Sequence, residues 1–369
     1  MKRKFLKIVS VIMVLCMVSV PAFMSAAADE KTSFEFSFNS EYTAAKVAFT
    51  DFRTLVNEQK TNIPIPGIKK TVFANGESSE DMVPQGICVA GKYVLVTAYD
   101  HEGKFNSVLY IISIENRNNP ELMSTMVLPD KNHVGGVTFD GEYVWLAKST
   151  SKKLSAIKFE TIENAANSAN DCYVLKQYYK NVDCDTTASF VTYYGGLIWV
   201  GLFDSANEGT LYGYNLVKNG EAFSLSQKYV LPVPRQTQGA AFTERDGKLY
   251  LMTSSSYGAF IPSKLCLFEV ILGSDVMKVT QVKQFEFPPM TEEIEFYNGS
   301  LFVMFESAAK EYSTGDDKAL MPIDRVCVLD EVRLLSMESK GIVSFFDQLL
   351  EKIYNTIMMF FNNIAKIFK

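Results

Sequence analysis

A chain of 369 residues that is 47% hydrophobic can bury a large core, and its length alone would suggest two or three domains. The balance is acidic, 42 Asp and Glu against 36 Lys and Arg, which argues against nucleic acid as a partner. With two histidines and no CxxC pair, a Cys/His zinc site is not expected.

The N-terminus reads as an export signal over residues 1–28. Lys2, Arg3, Lys4 and Lys7 precede an apolar run from Ile8 to Phe23, and Ser25, Ala26, Ala27 and Ala28 follow it. The competing reading is an uncleaved membrane anchor. Removing the four positive charges takes the net charge from −6 to about −10. The body is expected to be secreted or extracellular. Five cysteines then remain, and an odd count is no disulfide scaffold. Cys88, Cys266 and Cys327 sit in apolar strand patterns and read as buried. Cys172 and Cys184 flank one predicted strand, and their pairing stays open.

Residues 29–66 form a lead-in and a helix. Asp29 to Phe38 reads as a loose segment. Asn39 and Ser40 can cap a helix that sets Ala45, Ala48, Phe52, Leu55 and Val56 at helical spacing, and Pro64 and Pro66 end the region.

Residues 67–335 carry a repeat. Tight-turn glycines recur at Gly91, Gly141, Gly195, Gly247 and Gly299, at intervals of 50, 54, 52 and 52 residues. Each turn joins an apolar strand to a second one, and a third strand follows a polar loop. A fourth strand is expected at Thr125–Leu128, Val174–Tyr179, Tyr229–Val233 and Gln284–Phe287. The fifth unit lacks one, but Lys69–Phe73 ahead of the first unit supplies a candidate. A missing last strand supplied from the N-terminus closes a ring, so the fold class is all-β, a five-bladed β-propeller. A sixth degenerate blade or an open all-β array are the alternatives. Residues 336–369 form a C-terminal amphipathic helix, with Ile342, Phe346, Leu349, Ile353 and Ile357 on one stripe. Its basic balance suits peripheral contact with an anionic membrane between residues 340 and 369, and it also suits packing on the propeller or on a second copy.

The short, similar turns leave one face plain. The loops after each second strand are uneven and polar, and variable loops on a rigid scaffold are the usual place for binding. The strand entrances of that face place Gln85, His133, Ser189, Gln238, Glu292 and Glu293 at the axial channel. The ends of the second strands add Tyr99, Asp100, Asp204 and Glu306. The main reading is a binding module for a small molecule, glycan or protein at this face. As adjacent strand residues, Glu292 and Glu293 are expected to point to opposite sides. No GxSxG, HExxH, Walker or dinucleotide loop is present, and no DxDxDG-type calcium loop, so neither metal nor cofactor is expected. Asn298-Gly299-Ser300 matches a glycosylation sequon but occupies a hairpin turn.

The blade count and topology resemble those of the five-bladed arabinanases and fructosidases. That resemblance implies a carbohydrate hydrolase with acidic residues on the inner strands of three blades. The matching positions in the first four blades are Gln85, Gly135, Ser189 and Gln238, none of them acidic, and this departure counts against the enzyme reading. Whether the chain is an enzyme is left open by its sequence.

Overall fold

The computed structural model describes residues 31–273, 277–315 and 318–337. The export signal expected over residues 1–28, and the C-terminal helix expected over residues 336–369 apart from its first two residues, lie outside the described residues. No helix among the described residues is long and apolar enough to cross a membrane.

The chain enters through two short helices, α1 (Asn39–Ala48) and α2 (Thr50–Leu55), then strand β1 (Ile63–Pro64) and a small hairpin, β2 (Thr71–Val72) with β3 (Ser78–Ser79). Blade 1 follows as β4 (Met82–Ala90), β5 (Tyr93–Asp100), β6 (Val108–Ser113) and β7 (Glu121–Val127). Blade 2 has β8 (Gly136–Phe139), β9 (Tyr143–Lys148) and β10 (Lys153–Lys158). Helix α3 (Phe159–Ala166) and strand β11 (Cys172–Val174) then intervene before its outer strand, β12 (Lys180–Asp183). Blade 3 is β13 (Phe190–Tyr194), β14 (Leu197–Leu202), β15 (Gly209–Asn219) and β16 (Ala222–Val233). Blade 4 is β17 (Thr237–Arg245), β18 (Lys248–Ser255), β19 (Ser263–Leu272) and β20 (Met277–Phe287). Blade 5 supplies β21 (Thr291–Tyr297), β22 (Ser300–Phe305) and β23 (Arg325–Asp330). A short helix, α4 (Lys310–Ser313), sits in its β22–β23 loop, and α5 (Glu331–Ser336) follows β23.

The repeat is built on its turns. Asp246–Gly247 and Asn298–Gly299 each hold two successive positive φ angles, the mirror-image turn whose twist matches that of the paired strands. Apolar side chains on both faces of each blade then find partners on the next. The buried residues fall into five clusters, one between each pair of neighbouring blades. Trp145 packs with Val191 and Val200 between blades 2 and 3, and Trp199 with Phe242 and Leu251 between blades 3 and 4. One cluster joins Phe302 and Val326 of blade 5 to Ile87 and Val96 of blade 1. A core at that junction means a closed ring, and the fold is a five-bladed β-propeller.

Four details differ from the sequence expectation. The closing strand is β1, upstream of Lys69–Phe73. Ile63 pairs with Val326 and Pro64 with Arg325, so the last sheet runs β1-β23-β22-β21. An outer edge tolerates Pro64, because no further strand needs its missing N–H. Thr71 and Val72 instead pair locally with Ser79 and Ser78. The fourth strand of blade 2 is β12, not Val174–Tyr179. Helix α3 buries Ile162, Ala165 and Ala166 in the cluster between blades 1 and 2, which carries the chain across to blade 1. There β11 pairs in parallel with β7 as a fifth strand before β12 returns to its own blade. The lead-in is also docked rather than loose from Thr32 onward. Ser33 and Lys70 share a backbone bond of 2.8 Å, and Asp324 accepts the Phe38 N–H at 2.8 Å. Asn39 does not cap α1; its side-chain oxygen accepts from the Arg325 guanidinium at 2.7 Å. Cys172 and Cys184 are free thiols, as are Cys88, Cys266 and Cys327.

Candidate functional site

The inner strands of all five blades meet around the axis, and the side chain at its centre is Glu293. Its carboxylate accepts the N–H of Ile87 in blade 1 and of Val137 in blade 2, both at 2.8 Å, and that of Val191 in blade 3 at 3.4 Å. Glycines make this approach feasible. A Cβ on Gly136 would lie 2.6 Å from Glu293 Oε1, and one on Gly239 would lie 2.6 Å from Glu293 Cα. The residue is 1% exposed. Burial pushes its carboxyl well above the usual carboxylate range, and the N–H bonds pull it partly back. Glu295, two residues along β21, accepts the Val89 N–H at 2.5 Å and is pushed by burial to about 8. At this level the axis is filled, and the acceptor capacity of Glu293 is engaged by main-chain donors.

One residue earlier the arrangement changes. In β21, Thr291 pairs with Phe305 and Ile294 with Val303, so Glu292 and Glu293 together oppose Met304. This is a β-bulge, and it cancels the strict alternation expected for two adjacent glutamates. Similar irregularities fall at Gln85 and Gly86 in β4 and at Gln238 in β17. The bulges aim Glu292, Gln85 and Gln238 into the mouth of the axis on the face of the uneven loops.

There Glu292 and Glu306, the latter just beyond β22, hydrogen-bond carboxyl to carboxyl. Burial raises Glu292 well above the usual range, and the neighbouring Glu306 carboxylate raises it further. Burial lifts Glu306 to about 7, while hydrogen bonds from Glu292 and Gln85 pull it down. The pair therefore holds a shared proton around neutrality. Gln85 Nε2 donates to Glu306 at 2.9 Å, and Gln238 Nε2 to Glu292 at 3.3 Å. The Glu292 carbonyl accepts from the Ser254 hydroxyl at 2.5 Å, which fixes the bulge. Glu292 is buried, whereas Glu306 and Gln238 are half-buried and reachable from solvent.

An aromatic wall flanks the pair. Tyr99 stands edge-on to His133 with ring centroids 4.3 Å apart. Burial raises the Tyr99 phenol to about 12, against a lowering hydrogen bond from Tyr312. Tyr312 lies on α4, whose Lys310 ammonium is held by Asp81 at 3.1 Å and Glu80 at 3.3 Å. Burial lowers His133 to about 4, so its imidazole is neutral at neutral pH, and no carboxylate contributes to that shift.

Six of the residues selected from sequence thus converge: Gln85, Tyr99, His133, Gln238, Glu292 and Glu306. Glu293 lies one level deeper, saturated by the backbone. Ser189 borders the ring of strand entrances, where its hydroxyl accepts the Phe203 N–H at 3.1 Å. Asp100 is a loop organiser. It accepts the Ser79 hydroxyl and the Lys104 N–H, each at 2.6 Å. Asp204 does the same for its own loop through the N–H groups of Ala206 and Asn207, both at 2.8 Å, which lower its carboxyl. Tyr312 had no sequence signal, being placed by a short helix inside a long loop. Among the described residues, no group of three or more His, Cys, Asp or Glu is arranged to hold a metal ion.

Comparisons with known proteins reach the fold only. No protein-family model matches the chain. No curated protein matches it either. Several solved structures are similar in architecture. Glutaminyl cyclase of Myxococcus xanthus is 11% identical with a TM-score of 0.39, over 68% of this chain and 92% of that one. A chain of a nidogen/laminin complex is 12% identical with a TM-score of 0.34, over 68% and 84%. The WD40 repeats of RRP9 are 7% identical with a TM-score of 0.37, over 68% and 94%.

Proposed function

We propose that this propeller is an exported binding module whose ligand enters the axial mouth on the loop-rich face. The observation that carries the reading is the Glu292–Glu306 pair, gathered with Gln85 and Gln238 from three blades and left reachable through Glu306. With one proton shared, the pair carries one net negative charge beside neutral amides, phenols and an uncharged imidazole. Such a site favours a ligand that presents hydrogen-bond donors, and an ammonium group complements its charge best. Exposed apolar side chains on the same rim offer contact for the rest of the ligand. Tyr257, Phe260 and Ile261 stand on the β18–β19 loop and Leu320 on the β22–β23 loop.

The second reading, hydrolysis of carbohydrate at the same pair, is favoured by one observation. A carboxyl near 7 matches the working range of a general acid. The direct hydrogen bond between the two carboxyls weighs against it, because glycosidases hold theirs about 5 Å or more apart, across the scissile bond. Calorimetric titration with glucosamine and with glucose tests both readings. Saturable binding of glucosamine that Glu306→Gln weakens about tenfold is the expected result. Absence of binding by either sugar, or equal binding by the variant, overturns the module reading. Release of reducing ends from an oligosaccharide would favour the second.

A further inference from the structure

On the opposite face, beside the seam where the chain closes its ring, lies a cleft of about 220 Å3. Its floor is apolar, made by Ile63 of β1, Ile114 beyond β6, Phe302 of β22 and Val328 of β23. Two exposed cations, Lys60 and Arg117, stand at its margin, and no acidic residue among those described lines it. Both cations are set by the closing segment. Lys60 Nζ donates to the Ser300 hydroxyl at 2.9 Å, and Asn62 Nδ2 donates to the Arg117 carbonyl at 2.6 Å. The Arg117 guanidinium lies 6.0 Å from the centre of the Tyr297 ring, so it is held over the turn face rather than free in solvent.

We propose that this cleft binds a small amphipathic anion, a carboxylate with a short apolar body. The ammonium and guanidinium together match a carboxylate, the guanidinium through its paired N–H groups. The Ile63, Ile114, Phe302 and Val328 floor takes an apolar tail. The volume equals that of about seven water molecules, which fits a body of six to ten heavy atoms or so and excludes a long acyl chain. Because the floor includes the closing strand β1, a bound ligand also bridges the first and last blades.

Hexanoate, hexanamide and inorganic phosphate are the probes, each titrated into the full chain and followed by amide chemical shifts. Hexanoate is expected to shift residues around Ile114 and Ser300 saturably, with hexanamide and phosphate each weaker by about tenfold or more. Lys60→Met and Arg117→Met should each weaken hexanoate by about fivefold or more. Asn118→Trp, at an exposed position lining the cleft, should fill it and abolish binding without unfolding the chain. Glu306→Gln, at the mouth on the other face, should leave hexanoate binding unchanged, so failure here and failure of the axial reading are separable. Equal binding of hexanamide shows that the cations do not recognise the ligand and overturns the proposal. Equal binding of phosphate shows that the floor does not, and overturns it too. Absence of hexanoate shifts, or binding that survives Asn118→Trp, does the same.

Discussion

Glu292 and Glu293 are neighbours in the chain, yet they occupy two levels of the axis with opposite character. Glu293 is surrounded by main chain and accepts N–H groups from three blades. Glu292 meets only side chains, Glu306 and Gln238, in a cluster with a solvent-facing edge. One level ties the ring together and the other leaves polar groups available. The bulge in β21 makes the division, because it lets adjacent residues point into the axis at different depths. A buried carboxylate with a perturbed proton affinity is therefore no guide to function by itself. What distinguishes the two is whether the acceptors are engaged by backbone or by movable side chains.

The largest way to break the comparison is Glu293→Ala. It would leave the N–H groups of Ile87, Val137 and Val191 without their acceptor in the most enclosed part of the fold. Each buried unpaired donor costs roughly 1–3 kcal/mol, so a loss of roughly 4 kcal/mol or more is expected from urea unfolding. Glu292→Ala should cost visibly less. Similar losses for the two would show that the levels do not differ.

The depth of that difference explains what could be read in advance. Turn glycines and apolar triplets reveal five blades because every unit repeats the same local chemistry. The closing strand escaped because Ile63–Pro64 is two residues long, too short for alternation, while Lys69–Phe73 looks more like a strand and is not in the blade. Helix α3 did leave a trace in Phe159, Ile162, Ala165 and Ala166 at helical spacing, inside a stretch dominated by the strand repeat. At the site, strand entrances located Gln85, Gln238 and Glu292, and the end of the second strand located Glu306, because register places them. Alternation failed for Glu292 and Glu293, since a bulge has no signature in a two-residue period. A positional signature was present all the same. Gly86, Gly136 and Gly239 stand at the innermost point of three blades where the fifth has Glu293, the pattern expected of one side chain filling space that glycines leave.

The shared proton sharpens the comparison through pH. The Glu306 carboxyl is raised from its ordinary 4.5 to about 7, so the folded state holds a proton that the unfolded chain has released. That contribution is fully present below about 4.5 and is lost as pH rises toward and through about 7. Glu292, Glu293 and Glu295 are raised as well and work in the same direction, Tyr99 and Tyr312 do not titrate in that window, and His133, lowered from 6.5 to about 4, works the opposite way between those two values. The useful quantity is therefore the difference between wild type and Glu306→Gln. Wild type should lose on the order of 1 kcal/mol more than the variant between pH 5 and pH 8, by chemical denaturation. Parallel pH profiles would mean that the Glu306 carboxyl is not raised in the folded state.

The smallest effect is expected at Tyr312, and it separates supporting the fold from lining the mouth. Its hydroxyl donates to Tyr99, and the helix that carries it is also tied to blade 1 by Lys310 with Glu80 and Asp81 and by Glu311, which lies 3.5 Å from His101 Nδ1. Tyr312→Phe removes one hydrogen bond at a half-buried position and keeps the ring, so stability should fall by less than about 1 kcal/mol. Glucosamine affinity should fall by about threefold, because the Tyr99 hydroxyl beside Glu306 would lose the partner that orients it. A threefold loss with an unchanged urea midpoint places Tyr312 with Glu292 at the open level of the axis. A shifted midpoint with unchanged affinity places it instead with Glu293, as part of what holds the ring closed.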